Sequence, residues 1–242
     1  MPVKAVVWDI DDTIFDYAHA DSTGIRAHLI AEGLSARYGT ARQALSHWKE
    51  ITERHWARFG AGEVGFDEQR RDRVRDFVRA PGLTDAEADA WFDRYLGHYE
   101  SAWSLFPDTV PALDALADDY RHAVLSNSAA DPQERKLRAL GVRDRFEAVL
   151  CAAELGVSKP AAEAFLAACR ALGLAPGEVA YVGDQPEIDA RGARDAGLWG
   201  IWLDRSGDRR EVPSGVHRIA SLAELPALLS GDTRFGAPST FG

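Results

Sequence analysis

Asp9 and Asp11 stand two positions apart just beyond the apolar run Val3-Lys4-Ala5-Val6-Val7-Trp8, within the segment Asp9-Ile10-Asp11-Asp12-Thr13. Carboxylates this close repel, and a divalent cation, a lysine or a shared proton must compensate them. A solvated acidic turn capping a helix uses the same residue types, so the pattern needs support from elsewhere in the chain.

Three later segments supply it. Val124-Leu125 runs into Ser126-Asn127, a hydroxyl and an amide able to hydrogen-bond oxyanions. Glu154-Leu155-Gly156-Val157-Ser158-Lys159-Pro160 delivers a lysine immediately before a proline and a new helix. Val179 to Val182 leads into Gly183-Asp184-Gln185-Pro186-Glu187-Ile188-Asp189, with two more carboxylates past a strand end. Taken singly, each reads as a turn, a cap or a solvated helix start. Their order, and their common place beyond the ends of strands or in loops, make a phosphate-handling site the better account, because an open α/β sheet binds ligands at the carboxyl ends of its strands.

The elements that must position these groups follow from periodicity. Strands are expected at Val3 to Trp8, Arg121 to Leu125, Phe146 to Leu150, Val179 to Val182 and Trp199 to Leu203. Helices are expected at Pro132 to Leu140, Ala161 to Leu172 and Ile188 to Ala196. Between the first two strands, apolar residues such as Leu29, Ile30, Leu34, Leu45, Trp48 and Ile51 recur at spacings of three and four, and Thr84 with Glu87 forms a capping box, so this stretch reads as a helix bundle. The expected class is α/β: a Rossmann-like doubly wound parallel sheet core with an inserted all-helical cap domain. Residues 1–17 and 104–230 form the core in this reading, 18–103 the helical cap and 231–242 a mobile tail.

Composition bounds the partners. Of 242 residues, 46% are apolar, which suffices for a sizeable core, and the formal charge of −10 disfavours sequence-independent grip on nucleic acid or an anionic membrane. Cys151 and Cys169 belong to no metal-ligand spacing and are expected to be small buried hydrophobes in a reducing compartment. The seven histidines form no zinc-binding set. Met1 leads through Pro-Val-Lys into a strand with no signal-peptide pattern, and no apolar stretch approaches the roughly 20 residues of a membrane span. A soluble, cytoplasmic monomer or homodimer is expected, acting on a small phosphorylated metabolite, with no nucleic acid and no membrane as partner.

The four segments together resemble the haloacid dehalogenase-like hydrolase superfamily, whose motifs match Asp9-x-Asp11-x-Thr13, Ser126, Lys159 and Gly183-Asp184-x-x-x-x-Asp189. The resemblance spans residues 3 to about 204 and includes the helical cap inserted after the first strand. It implies that Asp9 is a nucleophile forming an aspartyl-phosphate. Asp11 would be the general acid and base, and Mg²⁺ would be held by Asp9, Asp184 and the main-chain carbonyl of Asp11. It further implies that Ser126, Asn127 and Lys159 bind the phosphoryl oxygens, with Thr13 and Asp189 supporting from behind. Asp11 favours phosphatase or phosphomutase, since the dehalogenases lack an aspartate at this position. Two positions depart from the pattern: Asp12 stands where many members have glycine, and Gln185 where many have serine.

The expected activity is Mg²⁺-dependent hydrolysis of a small phosphomonoester, a sugar phosphate or a nucleoside monophosphate. A sugar phosphomutase of the same superfamily would use the same acids, and a non-catalytic phospho-signalling or binding protein would share the acids, hydroxyl and lysine but has no need of the cap. Leaving-group contacts are expected from Phe15, Asp16, Tyr17, His19, Arg54, His55, Trp56 and Phe59, although Trp48, Trp56 and Trp91 fit bundle core by their spacing. The run Arg70-Arg71-Asp72-Arg73 with Arg75 is expected to be a solvated helix face.

Overall fold

The computed structural model describes residues 2–207 and 211–231, and the tail expected to be mobile lies outside the described residues from 232 onward. Six strands, β1 (Ala5–Trp8), β2 (Arg121–Ser126), β3 (Ala148–Cys151), β4 (Val179–Gly183), β5 (Trp199–Leu203) and β6 (His217–Ile219), form one sheet in the order β3-β2-β1-β4-β5-β6. Every pairing is parallel, so each connection crosses a face of the sheet. Helices α1 (Tyr17–Ala31), α2 (Ala41–Gly60), α3 (Phe66–Val78) and α4 (Asp85–Glu100) lie between β1 and β2, followed by α5 (Thr109–Leu116). Next come α6 (Ala130–Ala139) after β2, α7 (Ala152–Leu155) and α8 (Ala162–Leu172) after β3, α9 (Gly192–Asp195) after β4 and α10 (Leu225–Leu229) after β6.

Strand alternation divides the core. Val6, Trp8, Val124 and Val182 pack on one face, while Ala5, Val7, Leu125 and Tyr181 pack on the other against Phe165, Ala168 and Leu172 of α8. Burial on both faces is why β1 and β4 are apolar throughout. The chain leaves and re-enters the sheet region through a paired crossing. The Asp16 amide donates to the Ser104 carbonyl at 3.1 Å, and the Phe106 amide to the Ile14 carbonyl at 3.1 Å.

In the inserted bundle, Thr40 and Thr84 close capping boxes on α2 and α4, and the Trp48 ring lies 5.1 Å from both Phe77 and Tyr95. Gly24 lets α1 and α4 meet backbone to backbone, since a Cβ there would lie 2.7 Å from the Tyr99 Cα. Arg73 departs from the solvated face expected of its charge run: it is buried, its guanidinium 4.8 Å from the Trp48 ring centre and 5.2 Å from that of Phe92. A planar, weakly hydrated cation tolerates such an aromatic slot. Ile30, counted with the apolar stripe of α1, is instead 66% exposed.

Three elements differ from expectation. β3 starts at Ala148, because Phe146 closes a short turn by donating its amide to the Arg143 carbonyl. β6 is an edge strand, His217-Arg218-Ile219, with no apolar run to announce it. The helix expected over Ile188 to Ala196 is split into a wide π turn, Pro186–Arg191, and the short α9. The Gln185 carbonyl accepts from the amides of both Asp189 and Ala190, at 2.9 and 3.4 Å, which widens that turn.

Cys151 and Cys169 are both buried free thiols, as expected, and burial pushes Cys151 up to about 12. His28 is fully buried edge-on to Trp91, at 4.3 Å between ring centres, with neither ring nitrogen hydrogen-bonded. Burial lowers it from 6.5 to about 4. Because protonation then favours the unfolded chain, its contribution is fully present above pH 6.5 and is lost as pH falls towards 4. Urea melts of wild type and His28→Phe across that interval are expected to diverge, with wild type losing about 2 kcal/mol more than the variant; parallel curves would contradict this.

Candidate active site

The strand order reverses between β1 and β4, and at such a switch point the loops diverge and leave a crevice. Asp9 leaves β1 there with its amide still bonded to the Val182 carbonyl at 2.9 Å, while Asp184 leaves β4 with its carbonyl held by the Trp202 indole at 3.0 Å. Arg205 steadies the loop after β1: it forms a two-bond pair with Asp108 at 2.9 Å each and donates to the Thr13 carbonyl at 2.8 Å.

Lys159 is the hub. Its Nζ lies 2.7 Å from Asp9 Oδ1, 2.7 Å from Asp189 Oδ1 and 2.7 Å from the Tyr181 hydroxyl, so all three ammonium protons have partners. Burial alone would lower this lysine, but Asp189 and Asp9 outweigh it and hold the ammonium above its ordinary range. Asp9, only 6% exposed, is pushed up to about 7, chiefly by burial and against the pull of Lys159. Its second oxygen accepts from Thr13 Oγ1 at 3.2 Å.

Asp189 is engaged on both oxygens, its Oδ1 with Lys159 and Tyr181 and its Oδ2 with the Gln185 amide at 3.0 Å. It reaches them only because residue 183 is glycine, where a Cβ would lie 2.4 Å from the Asp189 Cγ. Asp184 is in the opposite state: its Oδ1 is buried with no hydrogen-bond partner, and burial, then Asp189 and Asp9, raise its carboxyl well above the usual range. Asp9, Asp184 and Asp189 can each bring an oxygen within 4.8 Å of the others. An orphaned buried carboxylate oxygen beside two further carboxylates fits a hard divalent cation, which would restore ionisation to Asp184 and Asp9. Asp189 carries three hydrogen bonds, against one on each oxygen of Asp9 and none on Asp184 Oδ1, so Asp184 and Asp9 keep more lone-pair capacity for one.

Ser126 is buried beside this group and accepts from Gln133 Nε2 at 3.3 Å. Asn127, expected to meet oxyanions, lines the same cleft. Its amide clamps the main chain of Lys159, donating to its carbonyl at 2.9 Å and accepting from its N–H at 2.8 Å. These two bonds brace the lysine loop, and the second N–H of the amide remains beside the cleft that Asn127 lines.

Asp11 turns away from the Lys159 hub towards α6, with Lys136 Nζ 2.5 Å from its Oδ1 and Gln133 Nε2 2.8 Å from its Oδ2. Asp12 takes a left-handed backbone, φ 60°, which explains glycine as the alternative there. Its Oδ1 caps α1 by accepting from the Ala18 amide at 2.8 Å, and burial raises its carboxyl to about 6.

Asp9, Asp11, Ser126, Lys159 and Asp184 open into one cleft of about 1780 Å³, walled on the far side by the helical insert. Of the residues expected to meet the leaving group, Tyr17, Trp56 and Phe59 line the cleft, and His19 is exposed outside it. Phe15 is buried, Asp16 caps α1, and Arg54 and His55 turn to Asp76. Lys136, Gln133 and Tyr181 are the polar partners that sequence reasoning missed. The only signal for the first two is their spacing of three on one helix.

Residues 3–197 match the model of the haloacid dehalogenase-like hydrolases. The chain is 31% identical to the phosphoserine phosphatase of Thermus thermophilus, over 92% of this chain and 98% of that protein. It superimposes on the 2-haloacid dehalogenase of Pseudomonas syringae with a TM-score of 0.71 at 28% identity, covering 95% of this chain and 99% of that one. A magnesium-bound HAD-hydrolase of Bacillus subtilis shares the fold, with a TM-score of 0.77 at 21% identity over 95% and 99% of the two chains. With its acids and lysine gathered at the switch point of a parallel sheet and nearly its whole length matched, this chain belongs to the haloacid dehalogenase-like hydrolase family.

Proposed function

We propose that the chain is a Mg²⁺-dependent phosphatase that hydrolyses a small phosphomonoester, a sugar phosphate or nucleoside monophosphate, through an aspartyl-phosphate on Asp9. In this reading residues 18–103 form the cap over a core of 1–17 and 104–230. The observation that carries it is the pairing of two carboxylates with separate partners at one cleft: Asp9 held by Lys159, and Asp11 held by Lys136 and Gln133. Two acids with different environments divide into nucleophile and proton-transfer group.

Asp9 attacks phosphorus in line, forming the Asp9–phosphorus bond as the bond to the leaving oxygen breaks. Asp11 gives that oxygen a proton and then takes one from the water that attacks the phospho-enzyme, which releases phosphate and restores Asp9. Lys159 and the Ser126 hydroxyl orient the phosphoryl oxygens, while Asp189 and Tyr181 keep Lys159 in place. Asp9, Asp184 and the Asp11 carbonyl would hold Mg²⁺, which would supply charge neutralisation for the phosphoryl group. Tyr17, Trp56 and Phe59, which line the cleft, meet the leaving group.

The test is phosphate release from a panel of phosphomonoesters. Release is expected with Mg²⁺, to fall to background on chelation and to return when Mg²⁺ is restored. A folded protein that releases no phosphate from any ester but frees halide from 2-haloacids would overturn the proposal.

A further inference from the structure

Asp9 and Asp11 are neighbours in sequence, yet α6 takes hold of only one of them. Lys136 Nζ and Gln133 Nε2 reach the two oxygens of Asp11 separately, at 2.5 and 2.8 Å. Residues three apart on a helix share a face, so one helix presents both donors to one carboxylate. Both are buried, Gln133 2% exposed and Lys136 4%. Their own positions are fixed in turn. The Lys136 ammonium lies 4.1 Å from the centre of the Phe15 ring and 6.0 Å from that of Tyr99, and Gln133 also bonds Ser126 Oγ at 3.3 Å. Rotating the Asp11 carboxylate in either direction breaks one of these bonds.

A purely structural pair tying the β1 loop to α6 would account for the bonds but not for the asymmetry. Buried ion pairs add little stability over an apolar pair of the same shape, so a lysine buried here is weakly explained by stability alone. The Lys136 side chain is 5% exposed, whereas that of Asp11 is 31% exposed and lines the cleft. The cation is withdrawn and the carboxylate edge it holds is the part presented to a ligand.

We infer that Gln133 and Lys136 are positioning residues that aim the Asp11 carboxylate at the leaving-group oxygen. The inference rests on the phosphatase reading above and deepens it. Neither residue exchanges a proton: Asp11 gives one to the departing oxygen and takes one from water, while the two donors fix where its oxygens stand. Their loss slows both transfers, and in the first, which kcat/KM reports, the cost should depend on how much the leaving group needs a proton.

Lys136→Met keeps the length of the buried chain and removes the ammonium. With p-nitrophenyl phosphate, whose leaving group departs without help, kcat/KM is expected to fall a few-fold; with glycerol 2-phosphate, a poor leaving group, it is expected to fall about 100-fold. Lys136→Arg is expected to recover part of the loss on the poor ester. Gln133→Leu gives the same leaving-group split without any change of charge. A second measurement needs no turnover: in a crystal structure of Lys136→Met, the Asp11 carboxylate is expected to swing from its wild-type orientation or to occupy several. Equal losses on both esters, or an Asp11 carboxylate unmoved in the variant, overturn the inference. A wild type that cleaves neither ester counts against the phosphatase reading, and the crystallographic comparison still decides the positioning.

Discussion

Asp9→Asn is expected to lose about 10⁴-fold or more in turnover, because an amide cannot form the phospho-enzyme and removal of a nucleophile collapses the whole catalytic unit. The loss is not expected to come from unfolding. Burial raises the wild-type Asp9 carboxyl from 3.8 to about 7, against the pull of Lys159. An acid whose folded value lies above its unfolded one stabilises the fold only below the unfolded value, and that contribution drains away as pH rises through the folded value. At pH 8 without divalent cation the wild type carries the full penalty of a buried charge, and asparagine removes it. Urea melts under those conditions should place the variant at or above wild type, a trade of stability for function typical of active sites. A variant that melts well below wild type would show that Asp9 serves the fold, and substantial residual turnover would exclude its role as nucleophile.

Lys159→Met carries the second large effect, on both stability and activity. It removes the ammonium that lies 2.7 Å from Asp9 and 2.7 Å from Asp189, leaving two buried carboxylates face to face. Breaking a buried pair in this way costs about 3 kcal/mol or more, since the orphaned charge has no solvent to turn to. The measurement is the urea midpoint of metal-free protein. Lys159→Arg should retain part of the stability because the charge remains, yet recover little activity because a planar guanidinium cannot reproduce three bonds at 2.7 Å from one tetrahedral nitrogen. A Lys159→Met protein as stable as wild type would mean that the carboxylates find other partners, and the hub assigned to this lysine would fall.

Much of the architecture was legible in the residues because the central strands are buried on both faces. β1, β2, β4 and β5 announce themselves as apolar runs, and the acids, hydroxyl and lysine past their ends stand out by contrast. Edge and turn geometry was not legible. β6 is too short and too exposed to carry a pattern, and the π turn at Pro186–Arg191 depends on one carbonyl serving two amides. The site shows the same division. Asp9, Asp184 and Asp189 converge as their spacing after strands implies, whereas Lys136 sits in the sequence Gln133-Glu134-Arg135-Lys136, which reads as a solvated helix face until the topology sets α6 beside the β1 loop. Tyr181 reads as a core aromatic of β4, which it is, but its hydroxyl also reaches Lys159. Asn127 also braces the backbone of Lys159, a role its residue type does not announce. Sequence shows which groups are available; the fold decides which of them still have free valence.

The most direct test of the covalent account is to quench a turning-over reaction with borohydride, which reduces an aspartyl-phosphate to homoserine, and to locate the product by peptide mass spectrometry. Homoserine is expected at position 9, formed only with substrate and Mg²⁺ present and absent in Asp9→Asn. An intact aspartate at position 9 during turnover, or homoserine at position 11 or 184 instead, would contradict it.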